Sequence, residues 1–168
     1  MKKELYIDLE WVKTDAIFLL SYAYSLKDFG QLYGRALNRD NIKKLTDPVD
    51  WIFVYGPDIG KLETVYGLNL KANFYTVNLL GIARKYLPLQ SFRLNLVEGF
   101  FGIDRQVSYK DNIGQLYWDF KNPKKRKEVL KYNMEDALNL VRVKRDLMKR
   151  EGLTNKDLLP FVMKAKNN

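Results

Sequence analysis

Three short stretches of this sequence carry residues that can do chemistry together. The first is Leu5-Tyr6-Ile7-Asp8-Leu9-Glu10. Successive side chains of a strand alternate, so Asp8 and Glu10 share one face while Leu5, Ile7 and Leu9 share the other. Two like charges roughly 7 Å apart on an apolar strand are costly to bury unless something neutralises them. A hard dication with oxygen ligands, Mg²⁺ or Mn²⁺, would do so. The alternative is a solvent-facing strand with an acidic outer face. The second stretch is Trp51-Ile52-Phe53-Val54-Tyr55, an apolar run followed by Gly56-Pro57-Asp58. Ligands of open α/β sheets bind at the carboxyl ends of the strands, which is where Asp58 falls. A plain turn former is the other reading of that residue. The third is Lys131-Tyr132-Asn133-Met134-Glu135-Asp136. At helical spacing Tyr132 and Asp136 are neighbours. They flank an expected apolar stripe of Leu130, Met134, Ala137, Val141 and Met148, with Glu135, Arg142 and Lys149 on the far face. A half-buried tyrosine beside a boundary aspartate would look the same.

What the chain lacks narrows the chemistry. There is no histidine and no cysteine among the 168 residues. Disulfides, thiolate or imidazole zinc sites, cysteine nucleophiles and Ser-His pairs are therefore excluded. Acid–base work falls to carboxylates, Tyr, Lys or metal-activated water. The net charge of +9 suits a polyanionic partner, nucleic acid before an anionic membrane. No run of about 18 apolar residues is present, so no transmembrane helix is expected. The start, Met1-Lys2-Lys3, is basic, but Asp8 and Glu10 break the apolar run that a signal peptide needs. A cytoplasmic location is the expectation, and a viral origin is compatible with it.

The elements that must position these residues follow from pattern. Trp11 to Asp15 reads as a turn, Ile17 to Leu26 as a second strand and Gly30 to Tyr33 as a third, an antiparallel meander. Asn38 to Leu45 reads as a short helix ended by Asp47-Pro48. The run from Trp51 is a fully buried strand, and Ile59 to Tyr66 is helical. Thr76 is expected to cap a helix to Tyr86, and Ser91 another through Phe101, with Gly102 as its stop. Asp111 to Phe120 reads as a further helix. Pro123 suits the first turn of the longest helix, which ends near Gly152. A last short helix covers Thr154 to Lys164. The expected whole is a single α/β domain over residues 1–168, with a mixed sheet flanked by helices and the Asp8 strand central and parallel to the Trp51 strand.

Asp-x-Glu on the first strand, an Asp after a later buried strand and Tyr-x-x-x-Asp on a late helix resemble, in that order, the DEDDy pattern. That pattern belongs to proofreading-type 3′–5′ exonucleases of the ribonuclease H-like superfamily. Thr76-Val77-Asn78-Leu79-Leu80, Ala83-Arg84, Ser91-Phe92-Arg93-Leu94 and Gly102-Ile103-Asp104-Arg105 resemble the predicted exonuclease branch with a stand-alone ribonuclease H-like domain. The resemblance runs from about Tyr6 to Leu147. It implies a ribonuclease H-like fold and a 3′–5′ exonuclease acting on DNA or RNA. It also implies that Asp8, Glu10, Asp58 and Asp136 hold two Mg²⁺ or Mn²⁺ ions, and that Tyr132 orients the attacking water. Two departures stand out. The family often has Thr after the Asp-x-Glu acid, where this chain has Trp11. It often has Asn or His before the second-motif Asp, where this chain has Gly56-Pro57.

Lys121, Lys124, Lys125, Arg126 and Lys127 surround Pro123 at the start of the long helix. Positive side chains there are unfavourable for the helix dipole, which hints at a role in binding nucleic acid; a solvated charge run is the alternative. Trp11, Tyr22 and Phe92 are candidates to stack on bases. Two further readings compete with the exonuclease. One is a ribonuclease H-like endonuclease on structured nucleic acid, and the other is a non-catalytic nucleic-acid-binding module.

Overall fold

The computed structural model describes residues 4–13, 16–107, 109 and 113–164. Its centre is a five-stranded mixed sheet in the order β3-β2-β1-β4-β5. The strands are β1 (Glu4–Trp11), β2 (Ile17–Ser25), β3 (Asp28–Tyr33), β4 (Trp51–Val54) and β5 (Tyr75–Asn78). β1 pairs antiparallel with β2 and parallel with β4, so the Asp8 strand is the middle strand, as expected. The helices are α1 (Arg39–Thr46), α2 (Asp58–Tyr66), α3 (Leu70–Asn73), α4 (Leu79–Tyr86), α5 (Leu94–Phe100), α6 (Ile113–Lys121) and α7 (Arg126–Glu151).

The two faces of β1 decide the layers. Leu5, Ile7 and Leu9 pack with Ile42 of α1, Ile52 and Val54 of β4, and Ile59 and Leu62 of α2. Tyr6, on the opposite face, packs with Phe53, Val77, Ile82, Val97 and the α7 residues Leu140, Val143 and Leu147. Leu5, Ile7 and Leu9 are almost completely buried. Each contributes about 1.5–3 kcal/mol. A one-residue slip would turn them to the other face. Their burial therefore fixes Asp8 and Glu10 on the α7 side of the sheet.

Several expectations shift here. β1 runs through Trp11, which is strand rather than turn, and residues 14–15 lie outside the described set. β3 begins at Asp28, two residues before the expected start at Gly30. Thr76 caps nothing: it is buried in β5, a strand paired with β4 at Trp51↔Tyr75. The cap of α4 is Asn78, whose side chain accepts from the Leu80 N–H. Ser91 does not cap α5, which follows Arg93 without a side-chain cap, but Gly102 does turn the chain at φ +68°. The start of the Asp111 helix lies outside the described residues, and α6 is described from Ile113. Pro123 precedes α7, which begins at Arg126 and stops before Gly152 at φ +63°. The last helix is a 3₁₀ segment, Asn155–Phe161, closed by a Thr154–Asp157 capping box.

The buried face of α7 is also rotated from the expected stripe. It consists of Val129, Asn133, Asp136, Ala137, Asn139, Leu140, Val143, Lys144 and Leu147. Four of its members are polar, and each is paired: Asn133 with Asp8, Asp136 with Arg105, Asn139 with Glu98 and Lys144 with Glu4. Lys144 is accommodated by Glu4 at 2.7 Å and Asn155 at 3.0 Å. Among the described residues, no helix is long and apolar enough to cross a membrane.

Candidate active site

Asp8 and Glu10 project from the end of β1 toward α7. Asp58 is the first residue of α2, and Asp136 sits on the buried face of α7. All four line one cavity of about 500 Å³, together with Tyr132, Trp11, Tyr55, Arg93 and Arg105. Carboxylate oxygens of Asp8, Glu10 and Asp136 lie within 4.8 Å of one another. Asp58 joins them through its charge, which raises the pKa of both Asp8 and Glu10. The sequence-expected acids therefore meet at one place. Asp50, at the far end of β4, stays exposed.

Local backbone explains how Asp58 is presented. The loop from β4 turns at Gly56, whose φ of +128° suits only glycine. The side chain of Asn78 braces that glycine on both sides, accepting from its N–H at 3.1 Å and donating to its carbonyl at 3.0 Å. Pro57 then forms the N-cap of α2. Gly56-Pro57, a departure at the sequence level, is thus a built turn that delivers Asp58 to the cavity.

Asp8 is oriented by a row of polar groups that the sequence did not single out. Asp8, Ser21 and Gln31 are in register across β1, β2 and β3. Asn133 of α7 lies over this row. Its amide donates to Asp8 and accepts from the Ser21 hydroxyl, the latter at 2.5 Å. Gln31 donates to Ser21 and to the Leu130 carbonyl, both at 2.8 Å. Asn133 is completely buried. The only signal in the sequence was an amide next to Tyr132 on a helix that packs against strands.

Burial dominates the electrostatics. It pushes Glu10 and Asp58 up to about 8 and Asp136 up to about 7, and it pushes Asp8 far above the usual carboxylate range. The charge of Asp136 adds to the rise at Asp8, Glu10 and Asp58. Arg105, ion-paired to Asp136, pulls Asp136 the other way. Tyr132 is pushed well above its ordinary value by burial and by Asp136 and Glu10. Its phenol therefore stays protonated at neutral pH. An all-oxygen donor set of buried, mutually repelling carboxylates fits a hard dication. It is a poor fit to solvent-facing decoration.

Arg105, in the wall of the site, is backed by a second acid. Arg105 pairs with Asp136 and with Glu98, a fully buried acid on α5. Arg105 sits in the Gly102–Arg105 motif, but no role was legible there, and Glu98 carried no signal. The basic segment is found at the α6–α7 corner. Lys121, Lys124, Lys125 and Lys127 are exposed there. Lys125 reaches Asp119 at 3.2 Å, while Arg126 donates to the Phe120 carbonyl at 2.8 Å and lies over its ring. Of the candidate stacking residues, Trp11 lines the cavity, whereas Tyr22 and Phe92 pack against the two main cores.

A family model described as the RNase H superfamily matches residues 5–148. Among solved structures, the fold is similar to that of Brucella melitensis NrnC with bound Mg²⁺. The TM-score is 0.63 at 16% sequence identity, covering 95% of this chain and 83% of that one. No curated protein matches the sequence.

Proposed function

The chain belongs to the RNase H superfamily, and from that premise we propose that it is a metal-dependent nuclease that removes nucleotides from the 3′ end of DNA or RNA. The observation that carries the reading is the meeting of Asp8, Glu10, Asp58 and Asp136 with Tyr132 in one cavity. Pure binding of a polyanion gains nothing from four carboxylates, whereas phosphodiester hydrolysis assisted by metal ions needs them. Mg²⁺ or Mn²⁺, two ions in this reading, would be held by those four acids and would supply Lewis-acid charge stabilisation at the phosphate.

The remaining work is done by the chain. Asn133, Ser21 and Gln31 fix the direction of the Asp8 carboxylate. Tyr132 stays protonated, so it serves as a donor that orients the attacking water and not as a base. Water adds to phosphorus, the bond to the 3′-oxygen breaks, and a 5′-mononucleotide leaves a shorter chain with a new 3′-hydroxyl. A cavity of about 500 Å³ suits one terminal nucleotide. The exposed lysines Lys121, Lys124, Lys125 and Lys127, with Arg126 beside them, would follow the backbone of the rest of the strand.

The test is cleavage of 5′-labelled single-stranded, duplex and branched DNA and RNA with Mg²⁺ or Mn²⁺. A ladder shortening one nucleotide at a time from the 3′ end is expected, with Asp136→Asn inactive but folded. Internal cuts would convert the reading to an endonuclease. No cleavage of any substrate would replace it with a binding module.

A further inference from the structure

We propose that Arg105 is a substrate-contacting residue of this site, a guanidinium that engages a phosphate of the bound strand and is parked on Asp136 in its absence. This rests on the nuclease reading.

The frame around Arg105 is too elaborate for a surface ion pair. Its Nε and Nη2 bond both oxygens of Glu98, the Nη2–Oε1 bond at 2.9 Å, and Nη2 also reaches Oδ1 of Asp136. Glu98 is completely buried. Burying a carboxylate is expensive unless it is paired and fully hydrogen-bonded. Here the Asn139 side-chain amide supplies a further donor at 3.0 Å, and its Oδ1 in turn accepts from Arg142. The backbone on either side is pinned as well. Ile103 N–H donates to the Glu98 carbonyl at 2.9 Å. The Glu135 carboxylate accepts from Gln106 and Val107 N–H at 2.7 and 3.0 Å. The guanidinium lies 5.6 Å from the centre of the Tyr132 ring.

Hydrogen-bond counting shows what this frame leaves free. A guanidinium has five N–H groups. Nε and Nη2 are committed to Glu98 and Asp136, while Nη1 has no hydrogen-bond partner among the described residues, and the residue lines the cavity with the four acids. While Nη2 stays on Asp136, Nη1 can donate one charge-assisted hydrogen bond to a phosphate oxygen; release of Nη2 from Asp136 would complete the two-nitrogen fork that phosphate accepts. Glu98 and Asn139 act through Arg105 and are positioning residues. The contact with Asp136 serves a different end: it gives that acid a counter-charge before a dication and a strand arrive.

The two halves of the proposal predict effects of opposite sign. Removing a positive charge beside a cation site strengthens cation binding; removing a phosphate contact weakens strand binding. The test measures Mn²⁺ affinity of Arg105→Gln in the absence of nucleic acid. It also measures affinity for a single-stranded oligonucleotide in Ca²⁺ across a salt series. Mn²⁺ should bind at least about tenfold more tightly, a floor for losing one unit charge beside a dication at an effective dielectric of about 20 once the Glu98 counter-charge offsets part of it. The oligonucleotide should bind about tenfold more weakly, with a salt slope flatter by about 0.7. Arg105→Lys should regain part of the strand affinity. Because the single variant leaves Glu98 buried without its partner, Glu98→Gln with Arg105→Gln keeps shape and removes one charge of each sign: the oligonucleotide should again bind about tenfold more weakly, while Mn²⁺ affinity should lie between those of the parent and the single variant. Weaker binding of both ligands in a folded variant means a purely structural role and overturns the proposal. So does unchanged oligonucleotide affinity with either outcome for Mn²⁺. A parent that binds Mn²⁺ and oligonucleotide but cleaves nothing ends the nuclease reading, while the opposed shifts still decide Arg105.

Discussion

Free of divalent cations, the protein should become less stable as the pH rises from about 5 to 7, the reverse of a protein held by ordinary surface carboxylates. Glu10 and Asp58 stand near 8 and Asp136 near 7, against ordinary values of 4.5 and 3.8. The folded state therefore holds protons that the unfolded chain gives up. The stabilisation is complete below the unfolded values and is lost as the pH climbs through the folded ones. One such group costs about 1.4 kcal/mol per pH unit, or about 2.7 kcal/mol between pH 5 and 7. For a chain of this size each kcal/mol is worth about 2–4 °C, so Tm should fall by roughly 5–10 °C per retained proton. The window is clean. There is no histidine to titrate in it. The lowered acids Glu4, Asp119 and Asp157 lose their contribution only at more acidic pH. The measurement is thermal unfolding in chelator, and again in saturating Mn²⁺. With Mn²⁺ the slope should reverse, since only ionised acids hold the ion, and free metal at 100 times Kd adds about 2.7 kcal/mol. Asp58→Asn should flatten the metal-free slope and raise Tm above neutrality. A metal-free Tm that stays level or rises from pH 5 to 7 would refute the picture of a buried, self-repelling acid cluster.

Three further outcomes follow from the same geometry. Tyr132→Phe should leave Mn²⁺ affinity intact, measured by titration calorimetry, and slow turnover roughly 10²-fold, the scale of one positioned proton-handling group. Changing Lys124, Lys125 and Lys127 together to Ala should flatten the salt dependence of oligonucleotide binding by about 0.7–0.9 for each phosphate no longer neutralised; an unchanged slope would make that segment a solvated face. Asn133→Leu should weaken metal binding although Asn133 is no ligand. It frees Asp8 to rotate and leaves the Ser21 hydroxyl without its acceptor, so a loss of stability of about 1–3 kcal/mol in chemical denaturation should accompany it.

The sheet and the acids were legible because each depends on a short-range rule. Alternation along Leu5–Glu10 puts the two carboxylates on one face, and an uninterrupted apolar run marks β4 as the buried parallel neighbour. Two positions misled for physical reasons. Thr76 precedes a helix and has a capping side chain, yet β5 is only four residues long and ends in Asn78, which caps instead. In a strand this short, pairing with β4 outweighs local preference. On α7, a stripe drawn through apolar residues alone is rotated away from the true buried face. That face includes Asn133, Asp136, Asn139 and Lys144, and each has its partner on another element: Asp8, Arg105, Glu98 and Glu4. None of those pairings has a sequence period.

That same face ties the fold to its chemistry. A helix that buries four polar side chains gains less from packing than an apolar one, because every polar group must be satisfied merely to break even. α7 meets this by crossing the sheet where β1, β2 and β3 present Asp8, Ser21 and Gln31 in one row, so satisfying Asn133 also aims Asp8. One turn further on, Asp136 is left with Arg105 and three neighbouring acids, an arrangement that desolvation alone would disfavour. On the nuclease reading, a cation and a phosphate would offset that cost. The polar residues of α7 therefore divide into Asn139 and Lys144, which are paired away from the cavity, and Asp136 and Tyr132, which line it and on the nuclease reading would meet the ligand. Substitutions at the first pair should register in stability, and substitutions at the second in ligand binding and turnover.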